Sequence, residues 1–192
     1  MITADPRVIA RVGLLERYRA DGVTARVVAA GRSMHPLIPA GSELLVEFGQ
    51  QPSALGDVIV FRRGRGVVAH RLVARRVTQD GMRLLVKGDD EAFIDAPLRA
   101  EDVLGVVREV RLPDGSTTRS MRGRRRSAAL ARVSWWSGCA AGVGARVARR
   151  TRASDPVRRV ALFPYLFLSR VPTRLVTALI PRLDRGATSG RR

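Results

Sequence analysis

Val58-Ile59-Val60-Phe61-Arg62-Arg63-Gly64-Arg65-Gly66-Val67-Val68-Ala69-His70-Arg71-Leu72-Val73 reads as two apolar runs separated by a Gly-x-Gly turn. Val, Ile and Phe suit a pleated, half-buried surface, and glycines punctuate such runs where the chain turns. The first run predicts a strand over Val58 to Arg62 and the second a strand over Val67 to Val77. Working outward, the same signal recurs at Thr24 to Ala30, Glu43 to Phe48, Met82 to Lys87 and Val103 to Leu112. Ala40-Gly41, Leu55-Gly56-Asp57 and Gln79-Asp80-Gly81 separate these runs, and the last strand ends at Pro113-Asp114-Gly115. Short strands with glycine turns over about ninety residues predict a mainly β module, a folded-over sheet or partial barrel.

Both flanks read differently. Residues 6–20 place Val8, Ile9, Val12 and Leu15 at helical spacing behind Asp5-Pro6, which predicts a short amphipathic helix. Ser127 to Arg150 is rich in Ala and Arg, and Val157 to Leu183 is apolar but broken by Pro164, Pro172 and Pro181; both are expected to be helical. The chain thus divides into an N-terminal helix (1–23), a β module (24–115) and a helical tail (116–192).

Charge follows the same division. Residues 1–115 carry 17 basic and 15 acidic side chains, a net of +2, whereas residues 116–192 carry 18 and 2, a net of +16. Only Lys87 is a lysine, so a mechanism needing a lysine base has one candidate; the arginine bias points to a GC-rich genome. The single cysteine, Cys139, forms no internal disulfide, which suits a reducing compartment. Asp5, Arg7, Arg11, Glu16 and Arg17 interrupt the apolar core that a secretory signal needs. The longest weakly charged stretch, Val133 to Ala145, is interrupted by serines and glycines and is shorter than the roughly 18 residues of a spanning helix, so none is expected.

Chemistry concentrates in three places. In Gly31-Arg32-Ser33-Met34-His35-Pro36 a serine follows a glycine turn, where a bend exposes its hydroxyl and frees backbone N–H groups for an oxyanion. Most Gly-x-Ser turns only turn the chain, but Pro36 favours an open groove beside this one, with Met34 and Pro36 on its wall. A serine hydroxyl needs a base to take its proton. Of the two histidines, His70 shares a strand face with Val68 and Leu72, where it reads as a base or as a hydrogen-bonded core residue. His35 lies too near Ser33 in sequence to aim back at it, and is expected at the surface of the groove mouth. Lys87-Gly88-Asp89-Asp90-Glu91-Ala92-Phe93-Ile94-Asp95 sets four carboxylates in seven residues. They can orient a histidine or form a solvated acidic turn; a calcium loop fails because Ala92, Phe93 and Ile94 sit where oxygens are wanted.

Ser33-Met34-x-Pro36, Gly56-Asp57-Val58-Ile59-Val60-Phe61, His70-Arg71 and Lys87-Gly88-Asp89 with Asp95 beyond stand in the order and spacing of a known family. Together, over roughly Ala29 to Val110, they resemble the type I signal peptidases, in the archaeal and endoplasmic-reticulum branch, where a histidine stands before the arginine as base. The resemblance implies a signal-peptidase/LexA-like β-sheet catalytic domain. It implies Ser33 as nucleophile, His70 as general base, and Asp89 and Asp95 at the two acidic positions, one of which orients the histidine. It implies the Ser33 N–H as oxyanion donor; the hydroxyl that some bacterial members place two residues earlier is absent at Gly31. Substrate is expected extended against Val27, Val28, Ala29 and Ala30, with small side chains near the cleaved bond. Lys87 is given a structural role, a Ser–Lys dyad remaining the alternative. No cofactor and no metal is expected.

The family's spanning helix before the serine has only the short charged helix over 6–20 in its place. The arginine-rich apolar tail can lie in an anionic membrane interface or pack on the β module. The first option expects a peripheral protein on the cytoplasmic face of a bacterial membrane, acting on a signal- or leader-type peptide. Two rival functions follow from other features. A self-cleaving regulator of the LexA type needs a DNA-reading domain before the serine, and 32 residues do not suffice. A non-enzymatic binder of nucleic acid or membrane would act through Arg122 to Arg126 and Arg146 to Arg152, with Trp135 and Trp136 between them.

Overall fold

The computed structural model describes residues 6–64, 66–119 and 124–150. Helix α1 (Pro6–Asp21) leads into strands β1 (Thr24–Val28), β2 (Glu43–Phe48), β3 (Val58–Arg63), β4 (Gly66–Thr78) and β5 (Gly81–Lys87). Then follow β6 (Leu98–Arg99), a 3-10 turn over Ala100–Asp102, β7 (Val103–Arg111), β8 (Thr117–Arg119) and helix α2 (Arg124–Arg150).

The strands form one antiparallel sheet in the order β1-β2-β7-β3-β4-β5-β6, with β8 paired to β7. The protein is mainly β, as the alternation predicts. The sheet folds over itself: Val27 of β1 and Ala29 just beyond it pack with Val67 and Ala69 around one core that includes Val46, Phe48, Val60 and Val107. A second core on the other side gathers Ile59, Phe61, Leu72, Val86 and Val106. Gly105 sits where the layers press hardest. A Cβ there would lie 2.5 Å from the Glu47 carbonyl oxygen, so only glycine lets β7 pass β2 at this point.

Two strands depart from the sequence expectation. β6 and β8 are two and three residues long, too short to show a period. β7 is therefore not the last strand: Asp114 closes the Pro113-Asp114-Gly115 turn by accepting the Ser116 N–H at 2.9 Å, and the chain returns along β7.

The helices pack at two places. α1 rests against β2, β4 and β7, with Tyr18 edge-on to Phe48 at 5.5 Å and Glu16 paired to Arg62 at 3.1 Å. α2 lies against β4 and β5 and buries Leu130, Ala131 and Ala141, while Trp136 remains 73% exposed. Among the described residues no helix is long and apolar enough to cross a membrane. The expected helix over Val157 to Leu183, and the arginine clusters at 122–123 and 151–152, lie outside the described residues.

Candidate active site

His70 owes its position to the β3–β4 ladder. Ile59 pairs with His70, Phe61 with Val68 and Arg63 with Gly66, so Ile59, Phe61 and Arg63 share the imidazole's face. The Phe61 ring meets the imidazole edge-on at 5.9 Å, and His70 is only 2% exposed. A buried imidazole needs partners for both nitrogens, and both are present. The Ser33 hydroxyl lies 3.0 Å from Nε2, and the Asp95 carboxylate 2.5 Å from Nδ1. Asp95 accepts only, so Nδ1 carries the proton and Nε2 is left as the acceptor for the serine O–H.

Ser33 and the acidic segment are tied together through the backbone. The Asp90 N–H donates to the Ser33 carbonyl at 2.8 Å, and the Asp95 N–H donates to the Val86 carbonyl at 2.9 Å. The first bond joins the serine turn to the loop after β5; the second folds that loop back so that Asp95 returns to β4. Gly88 lies at the crossing. A Cβ on it would fall 2.7 Å from the Ser33 carbonyl oxygen and 3.0 Å from His70 Nε2.

Asp89 stands elsewhere. It is fully enclosed and takes two hydrogen bonds from Arg71, Nε to Oδ1 at 2.9 Å and Nη2 to Oδ2 at 2.6 Å. Of the two acidic positions, then, Asp95 meets the histidine and Asp89 meets the arginine. One of the two was expected to orient the histidine, and Asp95 is the one that touches it. Arg71 also donates to the Gly56 carbonyl at 2.8 Å, and Asp57 accepts the Ser53 and Ala54 N–H groups at 2.8 and 2.9 Å. The Gly56-Asp57 motif is thus a turn fastened to the interior. Lys87 is fully buried, and its Nζ donates to the Gly88 carbonyl at 3.2 Å.

A groove of about 700 Å³ opens beside Ser33. Val27, Val28, Ala29, Ala30, Gly31 and Met34 line one side, Gly66 to Ala69 the other, and Val12, Leu14, Leu15 and Tyr18 of α1 close it. Its walls are almost wholly apolar, with Arg26 the charged exception. Both flanking strands offer backbone. β1 pairs only with β2, and β5 joins β4 only from Arg71 onward, so the outer edges of β1 and of Gly66–His70 are open among the described residues.

Four of the six expected substrate-contact side chains, Val27, Val28, Ala29 and Ala30, line this groove, and Met34 does so as a buried part of its floor. Pro36 does not. The turn after Ser33 closes with the Ile38 N–H on the Met34 carbonyl, and this curl carries Pro36 away from the groove. His35 is half-buried within the same turn and is not among the residues that line the groove.

Sequence reasoning missed Arg63, whose Nη1 donates to Asp95 Oδ1 at 2.8 Å. Its signal was present: alternation along β3 puts it on the same face as Phe61. A scan against models of known protein families finds no match to this chain, and a comparison with characterised proteins finds none either.

Proposed function

We propose that this chain is a serine endopeptidase of the type I signal-peptidase kind, cleaving an extended signal- or leader-type peptide. The observation that carries the reading is the continuous hydrogen-bonded line Ser33–His70–Asp95 beside an apolar, strand-edged groove. A serine, an imidazole in the right tautomer and a carboxylate that fixes it are the parts that acyl transfer requires.

The reaction then runs as follows. The substrate lies along β1 as an added strand, its scissile carbonyl beside Ser33. The Ser33 oxygen attacks the carbonyl carbon while His70 Nε2 takes the hydroxyl proton. Asp95 stabilises the imidazolium. The Ser33 N–H, which has no acceptor among the described residues, donates to the oxyanion. The C–N bond breaks as Nε2 returns the proton to the leaving amine. Water, deprotonated by the same nitrogen, then attacks the acyl ester and frees the serine. The arginine-rich tail would hold the enzyme at an anionic membrane surface, where such peptides partition.

The test is cleavage of a peptide panel with small residues at the scissile bond, in the presence of anionic lipid. Wild-type protein is expected to cleave, and Ser33→Ala and His70→Ala to abolish cleavage without loss of fold. Cleavage that survives His70→Ala but not Ser33→Ala transfers the base role to Lys87. Wild type inert on every peptide, together with nucleic-acid binding undiminished by Ser33→Ala, overturns the peptidase reading.

A further inference from the structure

We infer that Arg63 is a positioning residue of this site: it holds one oxygen of Asp95 so that the other stays on His70. The geometry stands without a substrate; the peptidase reading enters only in what the site is for.

The two Asp95 oxygens are divided between two partners. Oδ1 receives the Arg63 guanidinium at 2.8 Å, and Oδ2 receives the His70 Nδ1–H at 2.5 Å. The torsion that turns a carboxylate about its Cβ–Cγ bond is broad, so a carboxylate held by one oxygen alone swings. Held by both, it has one orientation. The Asp95 backbone is already held by its bond to Val86, and the contact with Arg63 restrains the side-chain torsions that remain.

The ladder explains how Arg63 reaches the site. It is the last residue of β3, on His70's face, and its cross-strand partner is Gly66. From there its guanidinium reaches back to Asp95 beside His70. Several ion pairs among the described residues are exposed on both sides and contribute little; Arg17 and Asp21, 80% and 58% exposed at 3.9 Å, are an example. Arg63–Asp95 is asymmetric. Arg63 is 55% exposed, Asp95 only 10%, so the acid is held inside by a base at the rim. Among the described residues no hydrogen bond joins Arg63 to Ser33 or His70, so it acts through Asp95.

The test uses full-length protein and the variants Arg63→Ala, Arg63→Gln and Arg63→Lys, each first shown by thermal melting to be folded. One readout needs no substrate. With only two histidines in the chain, the His70 Nδ1–H is readily assigned in 15N-histidine spectra. It is expected as a sharp downfield signal in wild type, broadened or lost in Arg63→Ala and retained in Arg63→Lys. The second readout is the rate at which a fluorophosphonate labels Ser33. A misplaced base costs up to about 100-fold in Arg63→Ala. Millimolar guanidinium is expected to restore part of that loss, and urea, neutral and of like shape, to restore none. A wild-type Nδ1–H signal in Arg63→Ala overturns the inference. If wild type is neither labelled nor active on peptides, the peptidase reading falls, and the spectra alone decide the role of Arg63.

Discussion

Arg71 and Asp89 face each other as fork and carboxylate with no exposed side-chain surface on either, joined by parallel hydrogen bonds of 2.9 and 2.6 Å. His70 and Arg71 are neighbours on opposite faces of β4, so adjacent residues serve different ends: the histidine meets the serine, and the arginine fastens two loops inside the protein. Removing one partner from a buried pair leaves an uncompensated charge. Asp89→Ala is therefore expected to lower the unfolding free energy by about 3–5 kcal/mol, measured by urea denaturation. Arg71→Lys is expected not to preserve stability, since an ammonium cannot form the fork. A loss below about 1 kcal/mol in Asp89→Ala, the size of an exposed pair, would remove the structural role assigned to it.

Asp95→Asn is expected to give the opposite phenotype. The amide has the size of the carboxylate, so the melting temperature should hold. Its NH2 group, however, can donate to Nδ1, which moves the imidazole proton to Nε2, where the Ser33 proton has to go. A fall in kcat of about 10⁴-fold follows from the wrong tautomer. Steady-state kinetics on any cleaved peptide check it; an Asp95→Asn enzyme within tenfold of wild type would show that the carboxylate is dispensable.

Gly88→Ala tests the crossing of the two loops. The new methyl would lie 2.6 Å from Glu91 Cγ, 2.7 Å from the Ser33 carbonyl oxygen and 3.0 Å from His70 Nε2. The side chain of Glu91 can yield; the Ser33 backbone can yield only by moving the nucleophile. Overpacking of this kind costs about 1–3 kcal/mol, and the serine should separate from its base. Gly31→Ala, whose Cβ meets nothing within 4 Å, should keep the melting temperature of wild type. Full Ser33 labelling in Gly88→Ala would show that the loops separate without disturbing the dyad.

What the sequence could tell and what it could not divide along physical lines. Strands of five residues or more carry a visible alternation, and β1 to β5 and β7 lie within two residues of where that alternation puts them. Two-residue β6 carries none. Among the carboxylates after β5 the chain gives distance but not direction. A bulge between Leu72 and Ala74 shifts the β4–β5 register, and only with that shift known does Asp89 reach Arg71 while Asp95 returns to His70. Arg63 was hidden by composition: in a chain with 34 arginines, one more beside a turn draws no notice. Pro36 misled because its local effect was read without the turn that buries Met34 and Ile38.

The open edge of β1 gives a test of substrate binding that spares the chemistry. The Phe48 N–H donates to Val23, and the Ala29 N–H donates to Ser42. With Ala25 opposite Val46 and Val27 opposite Leu44, the odd-numbered residues face β2 and the even-numbered ones turn their N–H and C=O groups outward. Val28, 68% exposed, points its N–H at the groove. Proline is tolerated on an edge strand where its missing N–H faced no partner. Val28→Pro should therefore fold, label at Ser33 like wild type with a small phosphonate, and show a raised KM for extended peptides. Val27→Pro removes a ladder bond to β2 and should destabilise the protein itself. An unchanged KM in Val28→Pro would mean that substrate does not add to β1, and the edge of Gly66–His70 across the groove becomes its seat.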